Sequence, residues 1–247
     1  MDSARNLIAA GDRITILTGA GVSTASGIPD FRGPNGLWTR DPSAAKLFDF
    51  EAYRADPDLR VRAWQARSSH EAWSAAPNAA HFAIAELEAQ GRVRALITQN
   101  IDELHQAAGS GEHAELLEVH GSLKRTVCLE CGRRGSMSAA LARVAAGEPD
   151  PACLDCGGVQ KSDTISFGQP LETEVFTAAV HAAAECDVFL AVGTSLQVYP
   201  VAGLVDIAIA AGAALVIVNA EPTVFDEVAA AVVRDPIEVA LPALTRR

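Results

Sequence analysis

Arg13-Ile14-Thr15-Ile16-Leu17-Thr18-Gly19-Ala20-Gly21 decides the fold. Six residues rich in β-branched and apolar side chains stop at two glycines one residue apart, which reads as a strand entering a tight turn with a helix after it. The same sentence recurs along the chain. Val93–Thr98 ends in Gln99-Asn100, Leu116–Val119 in His120-Gly121, Asp187–Val192 in Gly193-Thr194-Ser195 and Ala214–Val218 in Asn219, with a weaker run at Ala231–Val233. Between these runs, Ala79–Gln90 (opened by Pro77-Asn78), Glu174–Glu185 and Val201–Ala211 carry apolar residues at helical spacing. Almost wholly apolar strands that alternate with helices specify a parallel sheet covered on both faces. In such α/β sheets ligands bind beyond the carboxyl ends of the strands, and each polar cluster stands at one of those ends. The chemistry is therefore expected there.

Composition narrows the function. The chain has 247 residues with 31 Asp and Glu against 20 Lys and Arg, a formal net charge of −11. That balance disfavours nucleic acid as a partner, because phosphate binding needs a basic face. Its longest uncharged apolar stretch, Ile207–Val218, is 12 residues and contains a glycine, too short for a bilayer. The start, Met1-Asp2-Ser3-Ala4-Arg5, lacks the basic-then-apolar layout of a signal peptide, so a cytoplasmic protein without membrane partners is expected.

Two segments interrupt the alternation. Residues 36–75 hold all three tryptophans and read as a helical insertion, while residues 122–162 are rich in turn formers. The second contains Cys128-Leu129-Glu130-Cys131 and Cys153-Leu154-Asp155-Cys156, separated by 21 residues. In a reducing compartment two C-x-x-C knuckles suit one tetrahedral structural Zn²⁺, with no position left open for substrate. Lys124, Arg125, Arg133 and Arg134 lend weak support to the other reading of this element, a nucleic-acid-binding ribbon. The fifth cysteine, Cys186, precedes an apolar run and reads as a core thiol.

Gly19-Ala20-Gly21 would let the backbone approach a pyrophosphate, but Thr24 stands where a dinucleotide fingerprint has its third glycine. The residues after it are more specific. Gly19-Ala20-Gly21-Val22-Ser23-Thr24-Ala25-Ser26-Gly27-Ile28-Pro29-Asp30-Phe31-Arg32-Gly33 resembles the N-terminal signature of the sirtuins, the NAD-dependent protein-lysine deacylases. The resemblance continues in the family's order through Thr98-Gln99-Asn100-Ile101-Asp102, His120-Gly121, both cysteine pairs, Phe167-Gly168, Gly193-Thr194-Ser195-Leu196 and Asn219, from about residue 6 to the end.

The resemblance implies a Rossmann-type domain, here residues 1–35, 76–121 and 163–247, and a small domain made of the helical module 36–75 and the zinc ribbon 122–162. It implies NAD as co-substrate and acylated protein lysines as substrates. The acyl oxygen attacks the nicotinamide ribose, nicotinamide leaves, a histidine deprotonates the ribose hydroxyls, and water releases lysine and acyl-ADP-ribose. His120 matches that histidine, with Asn100 and Asp102 in the nicotinamide and ribose pocket. Gly19, Ala20, Gly21, Ser23, Asp30, Phe31, Arg32, Trp38, Gln99, Ile101, Gly193, Thr194 and Ser195 are the further implied NAD contacts, Thr194 and Ser195 opening a helix. Asn219, Ala220, Glu221 and Ile237 fall on the adenosine half. The peptide would add as a strand between the Phe167-Gly168 loop and the segment after Ser195, with Ile165, Phe167 and Val198 near the lysine. A monomer is expected.

Two positions depart from the family pattern. Ser166 and Gln169 replace a tryptophan and a glutamate around Phe-Gly, which bears on peptide preference. Trp64-Gln65-Ala66-Arg67 lies one residue out of step with the Tyr-x-x-Arg of members that remove acidic acyl groups. Arg67 can pair with a succinyl carboxylate, so acetyl is expected first and succinyl second. A mono-ADP-ribosyltransferase with the same NAD site and a non-catalytic sensor of NAD or ADP-ribose are the alternatives. An NAD dehydrogenase is excluded by the missing glycine and the ribbon within the sheet.

Overall fold

Each apolar run is a strand. In the computed structural model, which describes residues 1–31, 33, 36–40 and 46–246, the strands in chain order are β1 (Ile14–Thr18), β2 (Val93–Thr98), β3 (Glu115–Glu118), β4 (Gly121–Cys128), β5 (Arg134–Ser136), β6 (Gln160–Thr164), β7 (Val188–Val192), β8 (Ala214–Val218) and β9 (Ala231–Val233). Six form a parallel sheet in the order β3-β2-β1-β7-β8-β9, and three form an antiparallel sheet in the order β5-β4-β6. The weak run at Ala231–Val233 is thus a true edge strand, paired with Val216–Val218.

The helices are α1 (Asp2–Ala10), α2 (Leu37–Arg40), α3 (Phe50–Ala55), α4 (Pro57–Ser68), α5 (Ala79–Ala89), α6 (Leu104–Ala107), α7 (Met137–Ala145), α8 (Thr173–Ala184), α9 (Leu204–Ala210) and α10 (Ile237–Thr245). Local chemistry sets their starts. Asn78 accepts from the Ala80 amide at 2.9 Å while His81 Nδ1 accepts from the Asn78 amide at 3.2 Å, a reciprocal cap for α5. Asp56 accepts from the Asp58 and Leu59 amides, with Pro57 in the first turn of α4.

Alternation along the strands divides the core. Ile14, Ile16, Val188, Leu190, Val192, Val216 and Val218 meet Ile8, Ile84, Leu87 and Leu241 of α1, α5 and α10. Leu17, Phe189, Ala191, Leu215 and Ile217 meet Ala179, Ala182, Ala183, Leu204, Val205 and Ala208 of α8 and α9. Both faces are covered, which is why the strands carry no polar face. Cys186 is buried in the second cluster, as read.

The two insertions share a small core: fully enclosed Trp64 of α4 packs on Met137 and Ala140 of α7. Trp64 is therefore a packing residue, not the acyl contact expected of it; its indole is walled in and its N–H donates to Asp150 Oδ1 at 3.3 Å. One further expectation fails. Thr194 and Ser195 open no helix, because Gly193 and Leu196 take positive φ of 61° and 53° and turn the chain away. Regular helix resumes only at Leu204, after a 3-10 turn over Val201–Gly203. No helix among the described residues is long and apolar enough to cross a membrane.

Candidate active site

The parallel register levels the strand ends. Thr18 is opposite Thr98 and Val192, Thr98 is opposite Glu118, and Val192 and Val233 flank Val218, so the polar residues that follow lie along one edge. The strand order reverses between β1 and β7, the switch point where a crevice opens. There two turns interlock. The Gly19 amide donates to Val192 O at 3.0 Å and the Gly21 amide to Gly193 O at 2.9 Å. A Cβ on Gly19 would stand 2.7 Å from Gly193 O, and one on Gly21 would stand 2.8 Å from Gly193 Cα. Only bare backbone fits, the condition for a chain that must pass close to a pyrophosphate. The chain after it is a 3-10 helix, Ala20–Ser26, in place of an α-helix.

A buried polar network joins this turn to the loop after β2. Asn100 Nδ2 donates to Ser23 Oγ at 3.2 Å, and Ser23 Oγ donates to Asp102 Oδ2 at 2.7 Å. The other Asp102 oxygen accepts from the Leu104 amide at 2.9 Å, so the carboxylate also ties down the first residue of α6. Beneath it Thr18 Oγ1 donates to Thr98 Oγ1 at 2.9 Å, which accepts from the Asn100 amide at 3.0 Å.

Two histidines that the sequence reading overlooked complete this layer. His105 Nε2 lies 2.9 Å from Thr18 Oγ1, and His81 Nε2 lies 3.5 Å from Ser23 Oγ. With Thr18 donating to Thr98, His105 is the Nε2–H donor, and its Nδ1 is a buried nitrogen without a partner among the described residues. Burial pushes His81 down to about 4 and His105 to about 3, the latter aided by His81 beside it at a ring separation of 4.9 Å. Both are neutral. Their sequence signal is faint: a polar residue in the first turn of a helix and another three places after Asp102.

His120 follows β3 and is half-buried. Its Nδ1 donates to Gln99 O at 3.2 Å, which leaves Nε2 as the free basic nitrogen. Burial lowers its pKa, only partly offset by the Gln99 bond. The Gln99 side chain reaches the opposite turn, where Thr194 Oγ1 donates to its Oε1 at 2.8 Å. The structure thus brings together Gly19, Gly21, Ser23, Gln99, Asn100, Asp102, His120, Gly193 and Thr194. Ala20 lies within the glycine turn, Ile101 O accepts from the Leu123 amide at 2.8 Å, and Ser195 is half-buried beyond Thr194.

Asp30 folds back on its own loop, accepting from the Gly33 amide at 2.9 Å. Phe31 packs edge-on against Phe48 at 5.8 Å. Arg32 lies outside the described residues, and Trp38 is in α2. At the far end Asn219 donates to Glu221 O at 2.7 Å and receives Arg234 on its own carbonyl at 2.7 Å, with Ala220 and Glu221 exposed beside it. Ile237 is 8% exposed and belongs to the core cluster under β8, so packing accounts for most of its surface.

The loop after β6 carries the other expected contacts. The Ile165 amide donates to His120 O at 2.9 Å. Phe167 is 46% exposed, yet its amide donates to Phe48 O at 2.7 Å and its carbonyl accepts from the Phe50 amide at 3.0 Å. Ser166 and Gln169 bond each other in a turn, Gln169 Oε1 accepting from the Ser166 amide at 3.3 Å, and Gly168 continues it at φ 85°. Val198 is half-buried in the segment after Ser195. Arg67 is half-buried with its guanidinium 5.3 Å from the centres of both the Tyr53 and Trp64 rings, and its Nη1 is buried with no hydrogen-bond partner among the described residues.

The four cysteines converge. Their sulfurs lie within 4.8 Å of one another, with Cys128–Cys156 at 3.5 Å and Cys131–Cys153 at 3.7 Å. A tetrahedron of thiolates at 2.3 Å from zinc has edges of about 3.8 Å. The donor set fits a structural Zn²⁺ with every position filled by protein. Three of the four basic residues around it are held in ion pairs: Arg125 and Arg134 with Glu103, Glu118, Asp163 and Glu172, and Arg133 with Asp155. That pairing weakens the support for a nucleic-acid-binding ribbon.

Comparison with known proteins agrees with this geometry. The family model described as the Sir2 family matches residues 19–200. The chain is 54% identical to NAD-dependent protein deacetylase 2 of Streptomyces coelicolor over 94% of this chain and 96% of that protein. It is 43% identical to NAD-dependent protein deacetylase 1 of Pyrobaculum aerophilum, over 100% of this chain and 94% of that one. Among solved structures, a Sir2 enzyme superposes with a TM-score of 0.88 at 38% identity, covering 99% of this chain and 96% of the other. A Sir2 histidine-to-alanine variant with a deacetylated p53 peptide and 3'-O-acetyl ADP ribose superposes with a TM-score of 0.89 at 32% identity, over 98% and 95% of the two chains.

Proposed function

The chain belongs to the Sir2 family, and from that premise we propose how its residues remove an acyl group from a protein lysine. It is an NAD-dependent protein deacylase with one structural zinc. When bound, NAD supplies the electrophilic ribose carbon and the nicotinamide leaving group. Gly19, Ala20, Gly21, Gly193 and Thr194 give the phosphates their backbone cradle, and Asn219 with Ala220 and Glu221 takes the adenosine side. Asn100 and Asp102, held by Ser23, hydrogen-bond the carboxamide and ribose hydroxyls; such buried polar contacts discriminate strongly against ligands that lack them. His120 accepts a proton at Nε2. The observation that carries this reading is the Nδ1–Gln99 bond, which fixes the tautomer and leaves a neutral base at the strand end.

Gly168 offers the peptide a main-chain partner, since those of Phe167 and Ser166 are engaged with Phe48, Phe50 and Gln169. Ile165 and Phe167 flank the lysine. The core shared by Trp64 and Met137 supports a division into a Rossmann-type domain and a small domain built from both insertions. The protein acts as a cytoplasmic monomer. Acetyl is the first acyl group and succinyl the second, the unpartnered Arg67 Nη1 being the observation that favours an acidic tail. Arg67→Met should leave the acetyl rate within about twofold and remove the succinyl rate.

The deciding experiment incubates the protein with NAD and an acetyl-lysine peptide and follows the products by mass. Nicotinamide, free lysine and acetyl-ADP-ribose are expected. Nicotinamide release with ADP-ribose appearing on protein would mean a transferase, and NAD binding without turnover would mean a sensor.

A further inference from the structure

Three acidic residues adjoin three separate parts of the active site. Glu103 follows Asp102, Glu118 comes two residues before His120, and Asp163 comes two residues before Ile165. One guanidinium meets all three. Arg125 of β4 places Nη1 3.3 Å from Glu103, Nη2 2.7 Å from Glu118 and Nε 3.3 Å from Asp163. The three carboxylate side chains are only 22%, 15% and 12% exposed, so they depend on their partners more than on water.

The same acids hold secondary partners. Ser122 Oγ donates to Glu103, Gln106 Nε2 to Glu118 Oε1 at 2.9 Å, and Arg134 Nε to Asp163 Oδ2 at 2.9 Å. Among the described residues only Arg125 pairs with acids of all three segments. It uses three nitrogens of a planar fork, a span that a single ammonium cannot cover. Arg125 also stands on the strand that leaves His120 for the zinc ribbon, so it fixes the ribbon and the strand ends to one another.

We propose that Arg125 is a positioning residue for deacylation, holding the segments that carry Asp102, His120 and Ile165 in one mutual geometry. Arg125 is itself 40% exposed and each acid keeps a second partner, which limits the cost to folding, whereas a shift of about 1 Å among reacting groups can lower a rate by roughly 10²-fold. Loss of Arg125 should therefore appear in kcat before it appears in stability. The proposal rests on the active-site reading above, which turnover by the unaltered protein tests separately.

The test compares the unaltered protein with Arg125→Met, Arg125→Lys and Glu118→Gln. Zinc content, thermal midpoint, KM for NAD and kcat on an acetyl-lysine peptide are measured for each. Arg125→Met is expected to keep its zinc and its KM for NAD within about twofold while kcat falls roughly tenfold. Arg125→Lys should restore less than half of that loss. In the double variant Glu118→Gln/Arg125→Met the losses should not multiply, because both remove one contact. Unchanged kcat in Arg125→Met, or a loss that tracks zinc or folded fraction, would overturn the proposal. Should Arg125→Met fail to fold, Glu118→Gln decides: a several-fold fall in kcat at full zinc content supports the proposal and an unchanged kcat refutes it.

Discussion

His120 can accept a proton only while its imidazole is neutral. Burial pushes its pKa below the usual 6.5. The base is then ready throughout the neutral range, and the acid limb of kcat/KM is expected below pH 6.5. A limb above pH 7 in the pH–rate profile would contradict the assignment. His120→Ala is expected to lower turnover by about 10²–10⁴-fold with zinc content and thermal midpoint unchanged; near-normal turnover would refute the role. At this scale the sequence is legible where polar residues cluster after an apolar run, as with Gln99-Asn100-Ile101-Asp102 and His120. It is silent on His81 and His105, whose neutrality comes from burial by segments far away in the chain. Trp64 misleads for the same reason: an aromatic beside Arg67 suggests an acyl pocket until Met137 and Ala140 close over it.

Among the elements, the zinc ribbon and the strand pair that supports it are the most exposed to perturbation. Chelation is expected to lower the thermal midpoint and abolish activity together, because the metal organises a module with a core of few residues. An unfolding curve indifferent to zinc would contradict that. Gly121 begins β4 at φ 72°, and a Cβ there would run into the Asp163 carbonyl. Gly121→Ala is therefore expected to cost about 1–3 kcal/mol in thermal or denaturant unfolding and to displace His120, lowering kcat as well. Strands and helices of the sheet are readable because a parallel strand buried on both faces has no other way to be written. The turn after β7 is not, since Gly193 and Leu196 take left-handed conformations that a helical reading of Thr194-Ser195 does not foresee. The Phe167–Asp49 bridge is equally hidden, joining residues more than a hundred apart.

For the molecule as a whole, the neutral histidine pair sets an acid limit on stability. Their folded values near 4 and 3 lie below the ordinary 6.5. As pH falls from 6.5 toward 4, the unfolded chain binds protons that the folded one refuses, and stability is lost at up to about 2–3 kcal/mol per pH unit. A thermal midpoint roughly 10 °C lower at pH 5 than at pH 7.5 is expected by calorimetry, and a flat profile would contradict the assignment. Phe48 carries a different consequence. It packs against Phe31 in the loop after the glycine turn and accepts the Phe167 amide from the loop expected to meet the peptide. The two loops meet at this one residue. Any coupling carried through it is reciprocal: whatever factor the acyl peptide adds to the affinity for NAD, NAD must add to the affinity for the peptide.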